Sequence, residues 1–367
     1  MSRRATAVVS PAPASPAGEL ATLVTTWQRS HGRQSLPWQR TGDPYRVWLS
    51  EIMLQQTQVA TVLGYYARFL ERFPDVRALA AATLDDVLAL WSGLGYYSRA
   101  RNLHGCAQRV MAEHGGEFPP SAQALAQLPG IGRSTAAAIA AFCWGERVAI
   151  LDGNVKRVLS RVLAFEGDLA QAREERALWA QATTLLPVAA ADMPAYTQGL
   201  MDLGAGVCLA RDPQCLLCPL REPCAARAAG RATDFPVKTR KLKRGRREHW
   251  WLWLQRELAG GEQAVWLEQR PARGVWAGLW TLPLYDDEAA LQQTVSGLAG
   301  AHGLRALELQ PTVRHALTHF DWTLHPRRLG PQVVWQGEPA GGGRWVPLPS
   351  LRDVALPAPL RKLLAAD

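Results

Sequence analysis

Four of the chain's six cysteines, Cys208, Cys215, Cys218 and Cys224, fall within 17 residues in the pattern C-x6-C-x2-C-x5-C. No other feature constrains the fold as strongly. Four thiolates from one short loop can wrap a single metal centre, whereas disulfides among such close neighbours would staple little chain. Zinc sites usually pair two short knuckles, and a single knuckle with longer arms leans towards an iron–sulfur cluster without deciding against zinc. Cys106 and Cys143 sit in helical, partly apolar contexts that read as core. Abundant thiolates also point to a reducing compartment.

Around that loop the texture of the chain changes. At roughly 150 residues per domain, 367 residues predict two domains. Residues 1–18 are proline-rich, free of acid and without a periodic apolar face, which reads as a disordered tail, with a transit peptide as the rival reading. From 19 to 230 the chain is Ala- and Leu-rich with helical spacing, and it carries helix boundaries at Asp43-Pro44, Phe73-Pro74 and Phe118-Pro119-Pro120. After that come short apolar runs such as HWWLWLQREL and QVVWQ, separated by Gly and Pro, which predict strands. One helical stretch, 286–302, interrupts them. The expected organisation is therefore an all-α domain over 19–230, a linker over 231–247 and a smaller α+β domain over 248–367.

Charge is concentrated in the linker. Residues 238–247, KTRKLKRGRR, hold seven of the 41 basic residues and no acid, leaving 34 basic against 32 acidic elsewhere, so most of the formal +9 lies in one segment. A basic segment suits an anionic partner, and a solvated linker kept open by self-repulsion is the competing reading. No apolar run is long enough for a transmembrane helix.

Two further patterns carry chemistry. Between about 121 and 141, LPGIGRST precedes an Ala-rich helix. Gly130 and Gly132 permit a tight turn that leaves backbone N–H groups uncovered at a helix start, as a helix-hairpin-helix phosphate clamp requires. Glu51 lies in a mostly apolar helix beside Val47, Trp48 and Leu54. It is either a desolvated carboxyl able to donate a proton near neutral pH or a glutamate facing solvent. Asp152 precedes a helix and is either an N-cap, an anion placed to stabilise a cation, or both. An acid that protonates and an anion that stabilises form the pair that glycosidic cleavage needs.

In the order WLSEIMLQQTQV, GLGYYSRARNLH, LPGIGRSTAAAI, ILDGNVKRVLSRV, MDLGAGVC and the cysteine loop, the chain closely resembles the adenine DNA glycosylases of the MutY type, within the endonuclease III superfamily. Weaker matches follow at RPARGVWAGLWTLP, ALTHF and LPAPLRKLL. The resemblance implies a helix-hairpin-helix glycosylase domain with a 4Fe-4S cluster on Cys208, Cys215, Cys218 and Cys224, then a Nudix-like domain that senses 8-oxoguanine. It implies base-excision repair of adenine opposite 8-oxoguanine or guanine in duplex DNA, acting as a monomer in a bacterial cytoplasm. Glu51 matches the residue that protonates adenine at N7, and Asp152 the one that stabilises the sugar cation. Trp38 and Leu54 match residues of the adenine pocket, and Gln56 and Tyr96 residues that enter or wedge the DNA. Leu128, Gly130, Gly132 and Ser134 match the DNA-binding hairpin.

Three further points bear on this reading. Ser134 stands where lyase-active relatives carry a lysine, so a monofunctional glycosylase is expected over the alternative, an endonuclease III-like glycosylase/lyase acting on oxidised pyrimidines. Leu317, Thr318 and His319 stand where the family has Phe-Ser-His against 8-oxoguanine. The helical stretch near 286–302 also lacks the glutamate set with which Nudix hydrolases hold magnesium. A catalytically silent DNA-binding iron–sulfur protein is a third reading, opposed by the presence of both Glu51 and Asp152.

Overall fold

The computed structural model describes residues 16–365 except 40, 240–242, 335–338 and 340. Most of the expected N-terminal tail and the middle of the basic run thus lie outside the described residues. The described helices of the first part are α1 (Pro16–His31), α2 (Pro44–Leu54), α3 (Val59–Arg72), α4 (Val76–Ala81), α5 (Leu84–Trp91), α6 (Ser98–His114), α7 (Ala122–Leu125), α8 (Arg133–Trp144), α9 (Gly153–Val162), α10 (Ala172–Thr184), α11 (Met193–Asp202) and α12 (Ala225–Ala228). There follow β1 (Gly245–Glu257), β2 (Gln263–Gln269), β3 (Trp280–Thr281), β4 (Leu284–Tyr285), α13 (Glu288–Arg305), β5 (Glu308–Leu309), β6 (Val313–Ala316), β7 (Phe320–Leu329), β8 (Arg344–Pro347) and α14 (Ala358–Leu364). The fold class is the expected one, helical and then α+β.

Local chemistry explains the boundaries. Asp43 caps α2, its Oδ1 accepting from Tyr45 N at 2.9 Å, and Pro44 occupies the first turn, where a missing N–H costs nothing. Thr83 and Asp86 form a capping box that starts α5. Asp152 caps α9, its carboxylate accepting from Val155 N at 2.7 Å.

The chain forms two compact units, residues 1–51 with 118–240 and residues 52–117 with 241–367. In the first, α1 and α8 to α11 close around Val24, Ala137, Val155, Leu159, Leu178, Met193 and Leu200, all essentially inaccessible. Each large apolar side chain buried this way contributes about 1.5–3 kcal/mol.

The second unit departs from the expected division at 230. Helices α3 to α6 pack on Val62, Phe69, Phe73, Leu79 and Trp91, and they are laced to the C-terminal region. Ser92 Oγ donates to Leu356 O (2.7 Å), Arg101 Nη1 to Ala277 O (2.8 Å), and Arg361 Nη2 to Val354 O (2.9 Å) and Ser92 Oγ (3.1 Å). Trp280 Nε1 and Gln269 Nε2 both donate to the Asp85 carboxylate. Such long-range polar bonds leave no periodic trace, which is why a boundary drawn from composition alone misses this grouping.

The sheet of the second unit is mixed. β1 runs parallel to β7 from Gly245↔Phe320 to Leu254↔Leu329, and β2 and β4 pair antiparallel with β1. β5 and β6 pair antiparallel with β7, and β3 and β8 with β2. One layer of core joins Leu252, Leu254, Trp266 and Leu329 of the strands to Leu291 and Val295 of α13. Because β1 already begins at Gly245, the last residues of the segment expected as linker belong to the sheet. Among the described residues no helix is long and apolar enough to cross a membrane.

Candidate functional site

In the first unit, a cavity of about 470 Å³ is lined by Trp38, Val47, Ser50, Glu51, Phe142 and Gln198, among others. Glu51 reaches it because α2 turns its most apolar positions, Trp48, Leu49 and Met53, into the core. Burial first, and then the charge of Asp152, push the Glu51 carboxyl up to about 8, so it holds its proton at neutral pH. Asp152 faces opposing influences. Burial, the largest influence, leaves its pKa raised, while the Val155 and Asn154 amides and the charges of Arg157 and Lys156 offset part of that rise in favour of the anion. Of the pair, Asp152 is the member that ionises first, since only it sits on helix N-terminal amides. The N-cap reading of Asp152 is thus observed, and the carboxylate that caps α9 is the same group whose charge raises the Glu51 pKa.

Ser134 approaches the same region. Its Oγ accepts from Leu151 N at 3.1 Å, tying the first turn of α8 to the residue before Asp152. In the hairpin, Gly130 takes φ +74°, which glycine adopts without a Cβ penalty. Gly132 begins α8 without any side-chain cap, and no atom lies within 4 Å of where its Cβ would be. Leu128 is 3% exposed, so its side chain is core and only its backbone can face a ligand.

Sequence reasoning missed the anchor of the Trp38 loop. Asp202, 4% exposed, accepts from Arg33 N (2.9 Å), Arg33 Nε (2.7 Å) and Gln198 Nε2 (2.8 Å). The signal was present as an acid in the otherwise apolar run GLMDLGAG, since a carboxylate is buried only with such partners.

In the second unit, a cavity of about 690 Å³ gathers Gln56, Tyr96, Thr318 and His319, together with Leu317. Leu317–His319 form the turn between β6 and β7, closed by Leu317 N donating to Phe320 O at 2.9 Å. The backbone here is unusual. Of the five non-glycine residues with positive φ among the described residues, three line this cavity: Gln56 (φ 57°), Tyr96 (φ 48°) and Trp276 (φ 56°). Such conformations cost about 1–3 kcal/mol each and persist only where surrounding structure enforces them. Trp276 and His315, also absent from the sequence expectations, form part of the wall. The Trp276 ring lies 4.6 Å from Trp322 and 5.6 Å from His315. Leu54, the remaining residue expected in the adenine pocket, ends α2 and is half-buried in this unit.

The four loop cysteines line one small cavity beside α9 and carry free thiols. Arg161, 2% exposed, donates to Cys208 Sγ at 3.3 Å and to the carbonyls of Leu209 (2.6 Å), Ala210 (3.1 Å) and Phe235 (3.1 Å). Arg157 Nε donates to Cys208 O at 2.7 Å. Burial and the neighbouring cysteine charges push the Cys218 thiol up to about 11, so its thiolate form needs a cationic centre beside it. Among the described residues no three His, Cys, Asp or Glu side chains close on a single metal ion. In the second unit, the only acid on α13 is Glu288, which pairs with Arg327 at 2.7 Å.

Residues 49–182 match the family described as HhH-GPD superfamily base excision DNA repair protein, and residues 257–366 match the NUDIX domain. The adenine DNA glycosylase of Buchnera aphidicola (subsp. Acyrthosiphon pisum) is 33% identical over 345 residues, covering 93% of this chain and 95% of the relative. The human adenine DNA glycosylase is 33% identical, covering 90% of this chain and 71% of the relative. A solved thermostable thymine-DNA glycosylase is similar to 57% of this chain and 95% of its own, with a TM-score of 0.51 and 27% identity.

Proposed function

The chain belongs to the adenine DNA glycosylase family, and from that membership we propose that it removes adenine paired with 8-oxoguanine or guanine in duplex DNA, with Glu51 and Asp152 as its catalytic carboxylates. One observation carries the assignment of roles: a carboxyl held protonated to about pH 8 on the wall of a cavity, next to a carboxyl held on helix N-terminal amides. The adenine must leave the base stack to be reached. Trp38 lines the cavity that would receive it, and Leu54 is assigned to the adenine by the resemblance alone.

Glu51 donates its proton to adenine N7. The electron pair of the C1′–N9 bond departs with the base, leaving positive charge on the sugar opposite the Asp152 carboxylate. Water adds at C1′ and passes its proton to the Glu51 carboxylate, leaving an abasic site. Ser134 has no amine to form a Schiff base, so backbone cleavage does not follow.

Gln56 and Tyr96 are assigned to entry into the DNA helix, and Thr318 and His319 to contact with the base opposite the adenine. Their shared cavity supports both assignments. Leu128, Gly130, Gly132 and Ser134 supply the hairpin that seats on phosphate through backbone N–H groups, with Ser134 Oγ engaged inward by Leu151. Cys208, Cys215, Cys218 and Cys224 would hold a 4Fe-4S cluster. The donor set fits: four thiols line one cavity against a buried guanidinium. When bound, the cluster supplies a cross-link among the loops of the first unit. A monomer working in the bacterial cytoplasm on nucleoid DNA completes the proposal.

The test is an excision assay on a duplex with adenine opposite 8-oxoguanine, run with and without an alkaline step. Strand breaks appearing only after alkali are expected. Breaks without alkali would support the glycosylase/lyase reading, and no breaks in either arm would remove the substrate assignment.

A further inference from the structure

A single buried side chain ties together the backbone around Gln56 and Tyr96. Arg99, in the first turn of α6, is 7% exposed. Its Nη1 donates to the carbonyls of Ile52 (2.9 Å), Met53 (2.8 Å) and Gln55 (2.6 Å) at the end of α2. Its Nη2 donates to Thr57 Oγ1 (3.1 Å) and to the carbonyls of Leu94 (3.2 Å) and Gly95 (3.1 Å). The acceptors therefore flank Gln56 on both sides and include the residue just before Tyr96. The guanidinium carbon also lies 5.3 Å from the Trp91 ring and 5.6 Å from the Tyr96 ring. Of its N–H groups, only that on Nε lacks a partner.

The two residues it brackets, Gln56 and Tyr96, both hold positive φ. An isolated loop would relax from such conformations, so something must over-determine them. Six convergent donor contacts from one planar group do so, and the carbonyls at the C-terminal end of α2 favour a cation there.

We propose that Arg99 is a positioning residue that fixes Gln56 and Tyr96 in the conformations in which they enter DNA, so that the two side chains need no ordering on binding. The proposal rests on the reading of Gln56 and Tyr96 as DNA-entering residues. Lysine cannot replace Arg99 here, because a compact ammonium with three donors lacks the planar fork that spans both loops.

The test is affinity of the full-length protein for a duplex carrying 2′-fluoro-2′-deoxyadenosine, which resists excision, opposite 8-oxoguanine. R99K is expected to bind about tenfold more weakly, and adding R99K to the Q56A/Y96A pair is expected to change affinity by less than about twofold, because coupled residues are non-additive. A full additional tenfold loss in the triple variant would overturn the positioning role, since a general structural defect adds independently. A Q56A/Y96A protein that binds like the parent would remove the DNA-entry reading and the proposal with it. Should R99K give no cooperative melt, T57V, which removes one Nη2 acceptor, takes its place. A loss of about threefold, again absent in the Q56A/Y96A background, is then expected, and an unchanged or additive affinity overturns the proposal.

Discussion

Around Glu51 and Asp152 the backbone is ordinary. Glu51 sits inside a regular helix, Asp152 has φ −72° at a helix N-cap, and what is unusual is the electrostatic setting, a carboxyl raised to about 8. Around Gln56, Tyr96 and Trp276 the reverse holds, with the backbone in positive φ at all three. A site that moves a proton needs shifted acidity, which burial and a neighbouring charge supply without distortion. The role proposed for the second site, entering and reading DNA, calls for side chains aimed outward from tight turns, and there the chain stores strain held by bonds from elsewhere in the unit.

Breaking the first arrangement has the largest expected effect. Glu51→Gln cannot donate the acidic proton, so single-turnover excision should fall by about 100- to 10,000-fold while mismatch binding persists. Its stability should move the other way. The folded carboxyl keeps its proton up to about pH 8, whereas the unfolded one releases it near the ordinary glutamate value of 4.5, so between those values the parent loses stability as pH rises. Glu51→Gln is therefore expected to melt at a higher temperature than the parent at pH 7.5, and an equal or lower melting temperature would count against the buried proton. Asp202→Asn tests the support of the same cavity. It weakens the charge-assisted bonds from Arg33 and should cost about 1–3 kcal/mol in denaturant unfolding, and no loss would show that the Trp38 loop is held by other means. The smallest effect belongs to the second cavity. Thr318→Ala removes one hydroxyl and should narrow discrimination between adenine opposite 8-oxoguanine and adenine opposite guanine by about fivefold, on the order of 1 kcal/mol. Unchanged relative rates would take Thr318 out of the reading role.

Features set by local rules were legible in the sequence, and features set by long-range contacts were not. Glu51 and Asp152 were visible because helix periodicity and capping are local rules, and both obey them. The cysteine quartet was visible because its spacing alone restricts what it can do. Trp276, His315 and Arg99 were not, since a cluster of rings 4.6–5.6 Å apart and a six-acceptor guanidinium depend on residues far apart in the chain. The compositional boundary near 230 located the start of the sheet region to within some fifteen residues of β1 at Gly245. It could not reveal that 52–117 pack with that region, because the bonds responsible join single side chains such as Arg101 and Ser92 to backbone carbonyls. Asp202 lay between these cases: a buried acid in an apolar run was a readable signal, but its partner Arg33 was not.

Whether burial and the Asp152 charge keep Glu51 protonated is read from the pH dependence of single-turnover excision opposite 8-oxoguanine. The rate is expected not to decline between pH 5.5 and 7.5, to fall above about 8, and in the residual activity of Asp152→Asn to fall from a lower pH, because the charge that helps raise the Glu51 value is gone. A rate already declining near pH 5, where an ordinary glutamate loses its proton, would contradict a Glu51 held protonated.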